Sequence, residues 1–343
     1  MPAGSAITKF VSVLTAVASV SALHATGRAA IARRDAPINE ARDNGAQFYL
    51  ADHYESNNFF DGFDYFSNSD PTHGLVEYVG RDEAVSRNLT FVNQQGQAVV
   101  RIDKDTYLQP GEFRKSVRLE SKKLYGNSMV VMDLAAMPHG CSVWPAFWML
   151  SGKKQWPTGG EIDIIEGVNE PGSNAMTLHT SPGCTLDVSE KSRSIFSGKV
   201  SATNCDANVN GNAGCGITDP DPMSYGHEFN VNGGGVFVTL IDDAGVHIWR
   251  FGRNEIPADL ASGNPNPSSW AQPKAFWSAN KCSRDFIDDK QQIVINITTC
   301  GDWAGSVFNQ MGCAGSCAET VRDPNNFKWA RFEINSLKVY KHT

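Results

Sequence analysis

Alternation of apolar and polar positions with a period of two dominates the chain. It recurs at residues 75–79, 98–102, 116–121, 129–134, 147–150, 161–166, 176–179, 236–241, 246–250, 292–297 and 329–340. Many of these runs are rich in β-branched residues, and Gly, Pro, Asn and Asp separate them, which predicts strands joined by turns. In the last run the apolar phase set by Phe332 and Ile334 changes to Leu337 and Val339. A register shift is therefore expected near Asn335-Ser336. Helical periodicity is scarce. Residues 40–52 are the one candidate helix, and Gly45 weakens it. Many strands without interleaved helices predict an all-β sandwich or barrel. No Pro/Ser-rich linker or repeat follows residue 35, so residues 35–343 read as one domain decorated by inserts at 204–222 and 262–274.

The first residues break this pattern. Lys9 precedes an apolar, small-residue-rich run at 10–23, the layout of a secretory signal peptide. The run is shorter than the roughly 20 residues that a membrane-spanning helix needs. Arg33-Arg34 reads as a dibasic processing site, so 1–34 are expected to be a signal peptide and a short processed segment. The product would be extracellular and free of the membrane. The formal net charge is −7, and loss of Lys9, Arg28, Arg33 and Arg34 takes it to −11. An acidic domain without a basic, aromatic-laced patch is a poor nucleic-acid binder and suits a neutral substrate.

Eight cysteines follow the signal: Cys141, Cys184, Cys205, Cys215, Cys282, Cys300, Cys313 and Cys317. An even number in a secreted chain predicts disulfides, with the pairing left open. Asn88-Leu89-Thr90 and Asn296-Ile297-Thr298 are glycosylation sequons, though Asn296 lies inside a strand-like run and equally suits a buried position.

The chemistry concentrates in Glu161-Ile162-Asp163-Ile164-Ile165-Glu166. Strand alternation puts Glu161 and Asp163 on one face and Ile162 and Ile164 on the other. Glu166 joins the acids only if one extra residue, most simply Ile165, is taken up in a β-bulge. Glu161 and Glu166 would then behave as i and i+4, with Cα atoms roughly 13 Å apart. Side chains leaning inward bring the carboxyls to about 5 Å, compatible with a retaining glycosidase. A calcium site or a solvated edge strand would also explain three acids. Tryptophans favour a sugar cleft: Trp144 and Trp148 flank Pro145, Trp156 precedes the acids, and Trp303 follows Cys300-Gly301-Asp302. Indoles suit the apolar C–H faces of sugar rings. Trp249 and Trp329 lie within strand-like runs and read as core. His179, on the next strand-like run, is placed to meet the acids or a substrate hydroxyl. Neither a Gly-x-Ser-x-Gly elbow nor a His-Glu-x-x-His motif occurs, so serine-hydrolase and zincin readings lack support.

The segment Gly160–Gly167 resembles the Glu-x-Asp-x-x-Glu signature of the laminarinase-type branch of glycoside hydrolase family 16. Trp144 to Trp148, Asn58 to Phe63, Asp70 to Gly74, Arg118 to Lys122 and Asn296 to Gly305 extend the likeness over nearly the whole mature chain. It is nearest to secreted fungal endo-1,3(4)-β-glucanases. The resemblance implies a concanavalin A-like β-jelly-roll sandwich with a cleft on its concave face. It implies Glu161 as nucleophile, Asp163 as assisting acid and Glu166 as acid/base, with His179, Trp148, Trp156 and Trp303 binding substrate. The expected function is retaining hydrolysis of β-1,3 and mixed β-1,3/1,4 glucans by a monomer without metal or cofactor. A wall-remodelling transglycosylase and a non-catalytic glucan-binding protein are the alternatives.

Overall fold

A computed structural model describes residues 47–343. The expected signal peptide and processed segment lie outside the described residues, as does the first part of the candidate helix at 40–52. The remainder of that candidate is not helical. Phe48–Tyr54 forms strand β1, paired antiparallel to the C-terminal strand. Here long-range pairing outweighs a weak local helical preference.

Two antiparallel eight-stranded sheets make the sandwich. In one, the order is β16 (Ala275–Ser278), β15 (Gly245–Gly252), β14 (Gly235–Asp242), β8 (Ser128–Ala136), β18 (Arg331–His342), β5 (Ala98–Arg101) and β4 (Thr90–Val92). Strand β1 lies beside β5 along the far end of the long β18. In the other, the order is β12 (Lys199–Val200), β13 (Cys215–Thr218), β11 (Ala175–His179), β10 (Glu161–Glu166), β9 (Val143–Ser151), β17 (Gln291–Thr299), β7 (Arg118–Tyr125) and β2 (Phe63–Phe66). A parallel pair, β3 (Val76–Tyr78) and β6 (Arg114–Ser116), flanks them.

Each predicted run holds a strand, and 116–121 divides at Val117 between β6 and β7. The register of β18 against β8 shifts between Glu333 and Ile334 and again between Ile334 and Ser336, as the change of apolar phase requires. Strands β2, β4, β12, β13 and β16 were not anticipated. They are two to four residues long, too short to display a period.

The main core lies between the sheets. Met132, Leu134, Phe237, Ile248 and Phe332 of the first meet Phe147, Met149, Ile162, Met176, Ile293 and Ile295 of the second. A smaller cluster covers the outer face of the first sheet, where Met129, Val131, Val236, Val238, Trp249 and Phe251 pack under Leu260 and Trp270. Trp249 is buried as expected, but Trp329 is 59% exposed. It stands just before β18, outside the alternation, and its ring packs against the Arg331 guanidinium.

All eight cysteines pair: Cys141–Cys313, Cys184–Cys282, Cys205–Cys215 and Cys300–Cys317. Two of these bridges pin the segment that carries Trp303, and Cys205–Cys215 closes a loop beside β11. Among the described residues, no helix is long and apolar enough to cross a membrane.

Candidate active site

The acid run is strand β10, a central strand of the second sheet. Its register against β9 pairs Asp163 with Trp148 and Ile165 with Phe147, so Ile164 is the residue left without a partner. The expected bulge is present: towards β9 the unpartnered residue is Ile164 rather than the expected Ile165, while towards β11 the register runs from Asp163–Thr177 to Glu166–Ala175 and leaves both isoleucines unpartnered. Ile162, Ile164 and Ile165 are all fully buried. Both bulge isoleucines therefore go to the core, which turns Glu166 onto the face of Glu161 and Asp163.

A bulge leaves backbone groups without ladder partners. The buried Asn174 side chain supplies them: its Oδ1 accepts from Glu166 N–H at 3.1 Å, and its Nδ2 donates to Ile164 C=O at 2.8 Å. Asn174 N–H in turn donates to Ser224 Oγ. A lone Asn in Gly172-Ser173-Asn174 carried no signal in the sequence, because its role depends on the strand beside it.

Cross-strand register assembles the rest of the face. Opposite β10, His179 pairs with Glu161 and Thr177 with Asp163. Across β9 and β17, Trp148 stands beside Asp163 and Val294, and Ala146 stands between Glu166 and Asn296. Farther out, Arg118 pairs with Asn296 and Glu120 with Val294. Trp148 Nε1 donates to Asn296 Oδ1 at 2.7 Å, while the Arg118 guanidinium lies 5.0 Å from the Trp148 ring centroid. Asn296 is buried and its Nδ2 also donates to Tyr78 OH. It is thus a floor residue with its amide engaged, whereas Asn88 is exposed.

Each glutamate is held by one indole. Trp156 Nε1 donates to Glu161 Oε2 at 2.8 Å, and Trp144 Nε1 donates to Glu166 Oε1 at 2.9 Å. Trp303 lies edge-to-face against Trp144, with ring centroids 5.7 Å apart. The four tryptophans singled out around the acids thus all meet this face. Trp144 was grouped with them in the sequence but not chosen as a binding residue, and it makes the most direct contact with Glu166.

Burial dominates the electrostatics. It pushes the Glu161 carboxyl up to about 7 against the pull of the Trp156 bond and the Arg118 charge. It raises Glu166 to about 7 as well, opposed by the Trp144 bond and His179 and reinforced by the Glu161 charge. Asp163 rises well above the usual carboxylate range through burial and the charges of both neighbours. Its Oδ2 is buried without a hydrogen-bond partner, 3.4 Å from His179 Nε2. Burial lowers His179, whose Nδ1 lies 2.8 Å from Asn212 Oδ1. Glu161, Asp163 and His179 offer polar atoms within 4.8 Å of one another. The thiol cluster of Cys184, Cys205 and Cys215 is consumed by disulfides.

An acid row with indoles on one sheet face of a sandwich offers proton chemistry beside rings that suit sugars. The chain belongs to glycoside hydrolase family 16: residues 63–340 match the XgeA-like catalytic GH16 domain. It is 42% identical over 299 residues to a probable glycosidase of Schizosaccharomyces pombe, covering 86% of this chain and 70% of that one. It is 40% identical over 306 residues to an endo-1,3(4)-β-glucanase of Arthroderma benhamiae, covering 86% of this chain and 65% of that protein. Against a probable endo-1,3(4)-β-glucanase of Aspergillus fumigatus the chain spans only 47% of the relative's length. The fold matches laminarinase 16A of Phanerochaete chrysosporium, solved with 6-O-glucosyl-laminaritriose in donor and acceptor sites. The TM-score is 0.81 at 40% identity, over 86% of this chain and 99% of that one. An elongating family 16 β-1,3-glucosyltransferase matches with a TM-score of 0.80 at 36% identity, over 86% of this chain and all of that one. The fold is thus the jelly-roll sandwich of the family 16 laminarinases.

Proposed function

We propose that this protein is a secreted, retaining endo-β-glucanase that hydrolyses β-1,3 and mixed β-1,3/1,4 glucans through a glycosyl-enzyme intermediate. The observation that carries it is the bulged β10, which sets Glu161, Asp163 and Glu166 on one face with an indole on each glutamate. Family 16 membership and the named activities of the relatives supply the substrate class.

We assign different roles to the two glutamates. Arg118 favours the Glu161 carboxylate, whereas Glu161 itself opposes ionisation of Glu166. In this reading Glu161, whose carboxylate Arg118 favours, attacks the anomeric carbon. Glu166 keeps its proton for the leaving oxygen, then takes one from the water that releases the sugar. Asp163 between them is pushed well above the usual carboxylate range, which limits the charge that the row carries. Trp148, Trp156 and Trp303 offer ring faces to sugars, and His179 closes the row beside Glu161. One 35–343 domain acting as a monomer suffices for this chemistry.

Transglycosylation is the second reading. It uses the same intermediate with a sugar hydroxyl in place of water, and the similarity to an elongating glucosyltransferase favours it. Early products from laminarin and lichenan separate the readings. Short oligosaccharides with β configuration in the first proton NMR spectra are expected. Products longer than the starting oligosaccharide would shift the assignment to transfer, and α-configured first products would refute retention.

A further inference from the structure

The catalytic row leaves one contact unused: the exposed Asn212, 33 residues from His179 in sequence, at the tip of the loop closed by Cys205–Cys215. This loop is shaped to reach the imidazole. Asn210, Gly211, Asn212 and Gly214 all have left-handed backbones, with φ of 53°, 64°, 61° and 61°. Asn and Gly adopt that region most readily. Gly214 lies so close to β11 that a Cβ there would stand 2.8 Å from His179 Cε1 and 2.7 Å from Leu178 O. The coil therefore presses on the ring edge and brings Asn212 Oδ1 to Nδ1.

We propose that Asn212 is a positioning residue that fixes His179 as its Nδ1–H tautomer, turning an unprotonated Nε2 towards Asp163. The amide oxygen of Asn212 accepts the Nδ1 hydrogen, so the lone pair of the neutral ring is left on Nε2, 3.4 Å from Asp163 Oδ2. Asp163 Oδ2 is buried and otherwise unpartnered. A protonated Asp163 facing a basic Nε2 is a favourable neutral pair, whereas an Nε2–H tautomer would face an acid that already carries its own proton. The directions of burial fit this arrangement, raising Asp163 and lowering His179. The other titratable groups on this face are Glu161, Glu166, Arg118 and its ion-pair partner Glu120. Their consequence for catalysis rests on the hydrolase reading above; the tautomer itself does not.

Two-bond ¹⁵N correlation of His179 in the full protein tests the tautomer without any turnover. An Nδ1–H pattern is expected, and an Nε2–H pattern overturns the proposal. Asn212→Ala should lower kcat about tenfold, equivalent to about 1.4 kcal/mol, with KM within about twofold and a shifted pH profile. Asn212→Asp keeps an acceptor and loses the donor. It should retain most of kcat at its optimum, with the acid limb displaced to higher pH because the new carboxylate favours the imidazolium. Gly214→Ala should repeat the Asn212→Ala loss by lifting the loop, with melting scans showing whether it folds. Equal loss in Asn212→Asp and Asn212→Ala, or an unchanged kcat and pH profile in Asn212→Ala, would sink the idea. A wild-type protein inactive on glucans but showing the Nδ1–H pattern would count against the hydrolase reading alone.

Discussion

The two large sheets share a core but differ in their other faces. The outer face of the β8–β14–β15 sheet is apolar, with Met129, Val131, Val236, Val238 and Trp249 roofed by Leu260 and Trp270. The corresponding face of the β9–β10–β17 sheet carries Glu161, Asp163, Glu166, Trp148 and Asn296, with Trp156 42% exposed at its rim. Strands of one period can thus serve opposite ends. A covered face lowers free energy by removing apolar area from water, about 25 cal/mol per Å². An open face can hold carboxylates in partly dry surroundings at a cost in stability. The second sheet accepts that cost at the bulge of β10, where ionisable groups are crowded and each is steered by a neighbour.

The largest contrast is expected from Glu161→Gln. Loss of the proposed nucleophile should reduce glucan hydrolysis by at least about 10³-fold, while the melting temperature at pH 7 stays level or rises. Near-normal turnover would break the assignment of this face as the reacting one. On the other sheet, Trp249→Ala removes a buried ring whose Nε1 donates to Ala271 O. It should cost about 3–5 kcal/mol of unfolding free energy in urea and leave kcat of the folded fraction unchanged. A drop in kcat with unchanged stability would show that the two faces are not independent.

Asn174→Ala joins the two behaviours. It strips partners from Ile164 C=O and Glu166 N–H, so about 2–3 kcal/mol of stability should go, together with a fall in kcat as Glu166 loses its aim. Stability loss without change in kcat would mean that the bulge holds itself.

The smallest effect is in pH. The folded Glu161 and Glu166 titrate near 7, above their ordinary value of 4.5. Between those values the folded protein holds protons that the unfolded chain has released, so stability should fall as pH rises from about 4.5 to about 7. Asp163, raised from 3.8, extends the same slope. Asp163→Asn should flatten part of it, gaining melting temperature over wild type as pH increases. An Asp163→Asn curve parallel to wild type across that range would show that Asp163 is ionised in the fold.

Much of this comparison was legible in the chain. Period-two runs marked the strands, the cysteines marked an oxidised fold, and the spacing of Glu161, Asp163 and Glu166 demanded a bulge. These features are local, so sequence carries them directly. Trp329 misled because strand-like composition began two residues before the β18 ladder, which starts at Arg331. Residues 48–52 misled because their strand exists only through pairing with β18. Towards β9 it is Ile164 that loses its partner, and towards β11 both isoleucines do, because the neighbouring ladders rather than the order of the isoleucines decide which residues pair.

By itself the sequence determined the class of fold, the acid row and its indole-rich setting, since periodicity and residue chemistry act over a few neighbours. Tertiary structure alone decided that Trp144 holds Glu166, that Asn174 completes the bulge and that Asn212 meets His179. Each of those is a hydrogen bond between segments that only folding brings together. The partner of a buried polar group is set by the geometry of approach, which residue spacing does not encode.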